Sequence, residues 1–271
     1  MTSTLHAPRS RTPVEVDSFR PSAARMYDYY LGGRNHLAAD REAADALLDA
    51  VPDIAVAAQQ NRAFLRRVVE YAVGQGVTQF LDLGSGYTSP GGVPEVACAS
   101  GAASRVVAVD IDPGVTAQVG STARATGVSG RVGAIHADLC DAAGVLEHPV
   151  TRRLLDFDRP VAILCLAVLH FVPGDLERVL GPLRRAAAPG SLLAFSHAAA
   201  GETPSTTERI TRLVYDCTLT PLVLRSAETL TDAVGGLDLV EPGIVPVNRW
   251  HPAGTDAAAP ASGLLGGVAR L

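Results

Sequence analysis

The chain has 271 residues, enough for one α/β domain with additions or two small ones. At this size about three quarters of the unfolded surface can be buried. With 47% hydrophobic and 19% charged residues, the composition suits a soluble globular fold. The net charge of −5, with no lysine at all, argues against nucleic acid as the main partner, because phosphate binding relies on clustered Lys and Arg. Cys98, Cys140, Cys165 and Cys217 form no C-x-x-C pair, so neither a structural zinc site nor a disulfide framework is expected, and a reducing cytoplasm is the natural compartment. The longest apolar run, Val161 to Val172, is well short of the ~20 residues a membrane span needs, and no basic-then-apolar leader is read at the N-terminus.

Residues 1–18, rich in Ser, Thr, Pro and Arg without periodicity, predict a disordered tail. A helix is expected from Pro21-Ser22 through Leu31, running into Gly32-Gly33-Arg34-Asn35. It carries Tyr27, Tyr29 and Tyr30 in a chain with only 5% aromatics. Two readings are open: the rings pack on the domain and glycine ends the helix, or they form a lid over a bound cofactor. Ala38 to Ala50 reads as helix, with Asp40 as a cap and Leu47 and Leu48 on the buried face. After Val51-Pro52-Asp53, a longer helix from Ile54 to Val73 places Phe64, Leu65, Val68, Val69 and Ala72 at helical spacing. Asn61-Arg62 on this helix could reach a ligand carboxylate. Residues 19–76 are thus expected to form a helical cover, in one unit with a Rossmann-like domain over 77–271.

The apolar run from Val77 predicts a buried strand that stops at Gly84-Ser85-Gly86. A Pro/Gly/Ser-rich loop from Tyr87 to Gly92 and a short helix from Val93 to Ala99 follow. Arg105 to Val109 is a second strand, ending in Asp110-Ile111-Asp112, with Pro113 opening the next helix. Arg131 to Ala137 ends in Asp138-Leu139, and Val161 to Val168 ends in Leu169-His170-Phe171. Helix is expected over Leu176 to Ala187 and strand over Ser191 to Ser196. Further on, Thr206 to Leu213 and Ser226 to Val234 read as helices, and Leu237 to Glu241 and Gly263 to Arg270 as strands. The alternation implies α/β architecture: seven strands, mostly parallel, with helices on both faces.

Asp82, Asp110 and Asp138 each fall at the carboxyl end of a successive strand, where open parallel sheets bind ligands. Asp110 is placed to accept from both ribose hydroxyls, at roughly 1.5–3 kcal/mol per charged hydrogen bond. Asp138 could accept from an adenine amine, and Asp82 could orient the glycine turn or bind an amino acid moiety. A dinucleotide site would have a third glycine where this chain has Ser89, followed by Pro90, so the helix that should face a pyrophosphate is delayed. The pattern therefore favours S-adenosylmethionine over NAD. Two alternatives remain: an S-adenosylmethionine-binding protein that does no chemistry, and an NAD-dependent oxidoreductase.

From Pro21 to Leu271 the chain resembles a bacterial family of class I S-adenosylmethionine-dependent methyltransferases, long catalogued only as a domain of unknown function. The most specific stretches are Ala24-Arg25-Met26-Tyr27-Asp28-Tyr29-Tyr30-Leu31-Gly32-Gly33-Arg34-Asn35, Ala39-Asp40-Arg41-Glu42-Ala43 and Asn61-Arg62-Ala63-Phe64-Leu65-Arg66-Arg67. Ala167-Val168-Leu169-His170-Phe171-Val172, Pro189-Gly190-Ser191, Ser196-His197-Ala198, Leu239-Val240-Glu241-Pro242-Gly243 and Trp250 match as well. The resemblance implies a seven-stranded sheet under an N-terminal helical cover. It implies cofactor contacts from Gly84, Ser85, Gly86, Asp110, Ile111, Asp138 and Leu139, and from the Tyr27 to Gly33 stretch above. One departure lies after the glycine turn, where Gly92-Val93-Pro94-Glu95 replaces the family's usual Asn-x-His-Glu-like run.

The expected reaction is in-line methyl transfer to a small organic acceptor. Alignment alone can supply on the order of 7–11 kcal/mol of barrier reduction. If the acceptor is a hydroxyl, His170 is the expected general base, with His197 a weaker choice. Equally, His170 could only fix the strand end.

Overall fold

The computed structural model describes residues 17–87, 91–100, 103–200, 205–252, 259–261 and 263–271. The apolar run after Val77 becomes β1 (Gln79–Leu83), buried at every position as a central parallel strand must be. Phe80 faces one apolar cluster, while Leu81 and Leu83 face another on the opposite side of the sheet.

Before β1 come α1 (Ala23–Tyr30), α2 (Ala38–Ala50) and α3 (Ile54–Gly74). After it run α4 (Val93–Ala99), β2 (Arg105–Asp110), α5 (Pro113–Ala125) and β3 (Val132–His136). The chain continues through α6 (Ala142–Glu147), α7 (Pro149–Leu154), β4 (Ala162–Leu166), α8 (Glu177–Ala186) and β5 (Leu192–Ala198). It finishes with α9 (Thr206–Asp216), α10 (Ala227–Ala233), β6 (Asp238–Leu239), β7 (Val245–Pro246) and β8 (Leu264–Arg270).

Strand order in the eight-stranded sheet is β3-β2-β1-β4-β5-β8-β6, with β7 also paired to β8. Strands β1 to β5 are parallel; β8 runs antiparallel to β5, β6 and β7. The count exceeds the expected seven because of β7, whose two residues carry no periodicity to read. The six-residue helices α6 and α7 were not foreseen either, for the same reason. The order reverses between β1 and β4, which makes the carboxyl ends of these two strands the switch point where such sheets bind ligands.

Helix α3 covers one face. Its Phe64 and Val68 pack with Phe80, Val106, Leu164 and Trp250. Arg67 on the same helix donates to the carbonyls of Trp250 (2.9 Å) and Val247 (2.7 Å), tying the C-terminal segment to the helix. Above the strand ends, α1, α2, α3 and α9 share a separate core of Met26, Tyr30, Leu47, Ala58 and Tyr215. Most of the expected tail, residues 1–16, lies outside the described residues, as do Ser89 and Pro90 of the loop after the glycine turn. Within the rest of that expected tail, the Asp17 carbonyl accepts from Arg25 Nη2 at 3.2 Å. No helix among the described residues is long and apolar enough to cross a membrane.

Candidate functional site

A cavity of about 640 Å³ opens at the carboxyl ends of the strands, within the ~300–1,000 Å³ range of small-molecule sites. Its wall includes Asp82, Gly84, Ser85, Gly86, Asp110, Ile111, Asp138, Leu139, Tyr27 and His170. Nine of the ten residues expected to contact a cofactor, and the expected catalytic histidine, therefore border one space.

The exception is Gly33. A Cβ there would lie 2.2 Å from Asp28 Oδ1. Buried Asp28 also accepts from Asn35 N (2.7 Å) and Asn35 Nδ2 (3.1 Å). Gly33 thus makes room for the carboxylate that folds its own loop, and it does not line the cavity.

The turn after β1 is built on β2. Gly84 N and Ser85 N both donate to the Val109 carbonyl, at 2.8 and 3.1 Å. Gly84 takes φ +67, and a Cβ there would meet Val168 Cγ2 at 2.2 Å, so only glycine fits. Gly86 takes φ +58 with open space where its Cβ would be. Its N–H donates to Asp110 Oδ2 at 2.8 Å, while Asp110 Oδ1 accepts from Asp112 N at 2.9 Å. Asp112 in turn caps α5, accepting from Gly114 N at 2.8 Å. Asp138 Oδ1 accepts from Cys140 N at 2.8 Å. The carboxyls at the ends of β2 and β3 are thereby held by backbone N–H groups.

Burial governs the electrostatics. Desolvation pushes Asp82 up to about 7, with Arg62 opposing and Asp110 adding to the rise. It pushes Asp110 up to about 6 against the backbone hydrogen bonds that favour its charge. Two polar atoms at this end lack partners: Arg62 Nε and Ser85 Oγ are buried without a hydrogen bond. Such groups carry a desolvation cost that a ligand's polar atoms would relieve.

The helices above are latched to this floor by a buried ion cluster. Arg25 Nε contacts Asp40 Oδ2 at 2.7 Å, and its Nη1 contacts Asp112 Oδ2 at 3.3 Å. Asp40 does cap α2 by accepting from Leu37 N (2.6 Å), but it also takes Ser22 N (2.8 Å) and the guanidinium. A second chain of bonds runs from the covering helices to the sheet. Tyr27 Oη donates to the Ala58 carbonyl (3.1 Å) and accepts from Asn61 Nδ2 (2.9 Å). Asn61 Oδ1 accepts from Ser196 Oγ (2.6 Å), which itself accepts from Ala167 N (2.8 Å). Both residues of the expected pair border the cavity, but Asn61 is committed to bonds within the protein.

The fourth strand stops at Leu166, earlier than expected, because Ala167 turns left-handed at φ +52. A non-glycine residue in this region is strained, and such strain gathers at functional sites. His170 consequently sits in a 3-10 turn, Leu169–Phe171, beyond the strand. Its Nδ1 accepts from Ala198 N at 3.2 Å. Burial, reinforced by His197 and Arg225, holds its pKa well below the usual histidine value. His197 is not at the cavity: its Nδ1 meets the Ala198 carbonyl (2.7 Å), and its Nε2 faces Arg225 Nη1 (3.2 Å). Burial lowers it to about 4.

The sequence gains its family from comparison with known proteins. No curated protein matches it. A crystal structure of a candidate methyltransferase from Thermobifida fusca YX is 34% identical, with TM-score 0.83 over 93% of this chain and 95% of that one. A DUF574 family protein from Streptomyces avermitilis MA-4680 is 36% identical, with TM-score 0.85 over 94% and 98%. A geranyl diphosphate C-methyltransferase from Streptomyces coelicolor A3(2), 14% identical with TM-score 0.53 over 74% and 76%, shares the fold. The family model described as S-adenosyl methyltransferase matches residues 9–271, and the chain belongs to that family.

Proposed function

We propose that the protein binds S-adenosylmethionine in the strand-end cavity and transfers its methyl group to a small organic acceptor. The observation that carries this reading is the row of carboxyls Asp82, Asp110 and Asp138 at the ends of β1, β2 and β3, all bordering one cavity. The residues fit the cofactor's chemistry. Asp110 would accept from the ribose hydroxyls with the lone pairs that Gly86 and Asp112 leave, and Asp138 and Leu139 would bound the adenine. The unpaired Arg62 Nε suits the cofactor's carboxylate, and Asp82 its ammonium. The bare space at Gly86 admits a ligand against the turn. When bound, the cofactor supplies a sulfonium-activated methyl group, so the protein's task is alignment rather than activation.

His170 suits orientation better than proton abstraction. With Nδ1 occupied by the Ala198 N–H, the neutral ring carries its proton on Nε2, which then donates. Its depressed pKa also makes it a weak proton acceptor. We therefore assign it the role of holding the acceptor, not that of the general base.

The test is transfer itself. The protein is incubated with methyl-labelled S-adenosylmethionine and a fractionated extract of bacterial small molecules. Label should appear in a small organic product together with S-adenosylhomocysteine. Label confined to RNA or protein, or none above the Asp110→Ala background, would contradict the proposal.

A further inference from the structure

Beyond the nucleoside end, the same cavity is bordered by Ile54, Tyr215, Leu219, Leu222 and Leu224 from the covering helices and the loop after α9, and by Phe171 from the turn after β4. These are apolar or aromatic surfaces, which bind by burial of apolar area. Acidic side chains Asp17, Asp53 and Glu208 also line the cavity. Among the described residues, its lining contains two cations, Arg25 and Arg62. Arg25 is consumed by Asp40 and Asp112, and Arg62 faces Asp82 in the cofactor's part of the space. Among the described residues no lining cation is left over to pair with a phosphate or carboxylate, and the carboxylates would repel one.

Besides Gln60 Oε1, a polar group of the covering helices on this lining awaits a partner. Tyr30 lines the cavity and is only 5% exposed, and its hydroxyl is buried without a hydrogen-bond partner. Leaving a phenol unsatisfied costs stability in the free protein, and a ligand atom that accepts from it recovers that cost.

Granted the methyl-transfer reading above, we infer that the acceptor is a non-anionic, predominantly apolar molecule whose polar atom accepts a hydrogen bond from Tyr30. Phosphorylated and carboxylated compounds are excluded. The acidic lining and the absence of a spare cation among the described lining residues argue against an anion, the apolar wall favours an apolar body, and the unsatisfied tyrosine calls for one acceptor atom.

Three probes of one ring size separate the possibilities: 2-naphthol, 2-naphthyl phosphate and 2-naphthoate. Each is titrated calorimetrically into protein already saturated with S-adenosylhomocysteine, whose own binding is measured first. We expect 2-naphthol to bind about tenfold or more tightly than either anion. Tyr30→Phe should weaken 2-naphthol about fivefold, the worth of one hydrogen bond. The S-adenosylhomocysteine affinity of the variant reports that it remains folded. Failure of S-adenosylhomocysteine to bind the wild type would overturn the methyl-transfer reading and this inference with it. If S-adenosylhomocysteine binds, three results would overturn the inference alone: an anion binding as tightly as 2-naphthol, no binding of 2-naphthol, or an unchanged affinity in Tyr30→Phe.

Discussion

Replacing Arg25 with methionine tests how firmly the covering helices are fastened to the nucleoside end of the cavity. The guanidinium is 3% exposed and lies between Asp40 (0%) and Asp112 (7%), so its loss strands two carboxylates away from water. Breaking a buried pair by removing one partner costs about 3–5 kcal/mol. The lower end applies here because both carboxylates keep other donors. Asp40 retains the Ser22 and Leu37 N–H groups, and Asp112 retains Gly114 N and Ser22 Oγ. A loss of about 3 kcal/mol is a large part of the 5–15 kcal/mol that holds a typical domain together. Urea unfolding followed by circular dichroism measures it directly. The double variant Arg25→Met/Asp112→Asn should recover at least about 1 kcal/mol of the loss, since the amide removes a stranded charge, keeps Oδ1 as acceptor for Gly114 N and turns its Nδ2 to donate to Ser22 Oγ. A single variant that loses less than about 1 kcal/mol, or a double variant no more stable than the single, would refute the latch.

Gly84→Ala should destabilise the protein by roughly 1–3 kcal/mol, combining left-handed strain with the clash against Val168; thermal unfolding no lower than the wild type's would contradict the assigned turn. The raised carboxyls make the stability of the unliganded protein pH-dependent. Because Asp82 and Asp110 titrate at about 7 and about 6, against roughly 3.9 when unfolded, the folded state holds more protons between these values. Their contribution is present in full below about pH 4 and is lost as pH rises through about 6 and 7. Asp82→Asn should therefore flatten the decline in stability between pH 5 and 8, and an identical slope in variant and wild type would count against the buried charge. Once an acceptor is found, turnover should show no limb near pH 6.5 belonging to His170; a limb that disappears in His170→Ala would restore the histidine as general base.

What the sequence disclosed and what it hid divide along the distance between partners. Asp82, Asp110 and Asp138 were legible because each follows its own apolar run, and the glycine turn was legible because the run stops there. The switch point follows from strand order, which alternating strands and helices constrain. Gly33 was misplaced because its real neighbour, the Asp28 carboxylate, becomes apparent only when the loop is seen folded back. For His170 the base and strand-end readings stayed level, because nothing nearby in sequence reveals the Ala198 N–H, 28 positions away, that occupies its Nδ1. The Arg25 latch joins residues 87 positions apart, and no local pattern announces it. Ala167 lacks the glycine that usually marks a left-handed turn, so the early end of β4 carried no signal either.

The central claim is that the row of strand-end carboxyls holds S-adenosylmethionine, and calorimetric titration tests it most directly. Wild-type protein is titrated with S-adenosylmethionine, S-adenosylhomocysteine and NAD, and Asp110→Ala is titrated in parallel. The account predicts binding of the first two, no binding of NAD, and at least about a tenfold loss of affinity in the variant, as removal of a charged hydrogen-bond acceptor should produce. Binding of NAD alone, or S-adenosylhomocysteine binding that Asp110→Ala leaves unchanged, would contradict it.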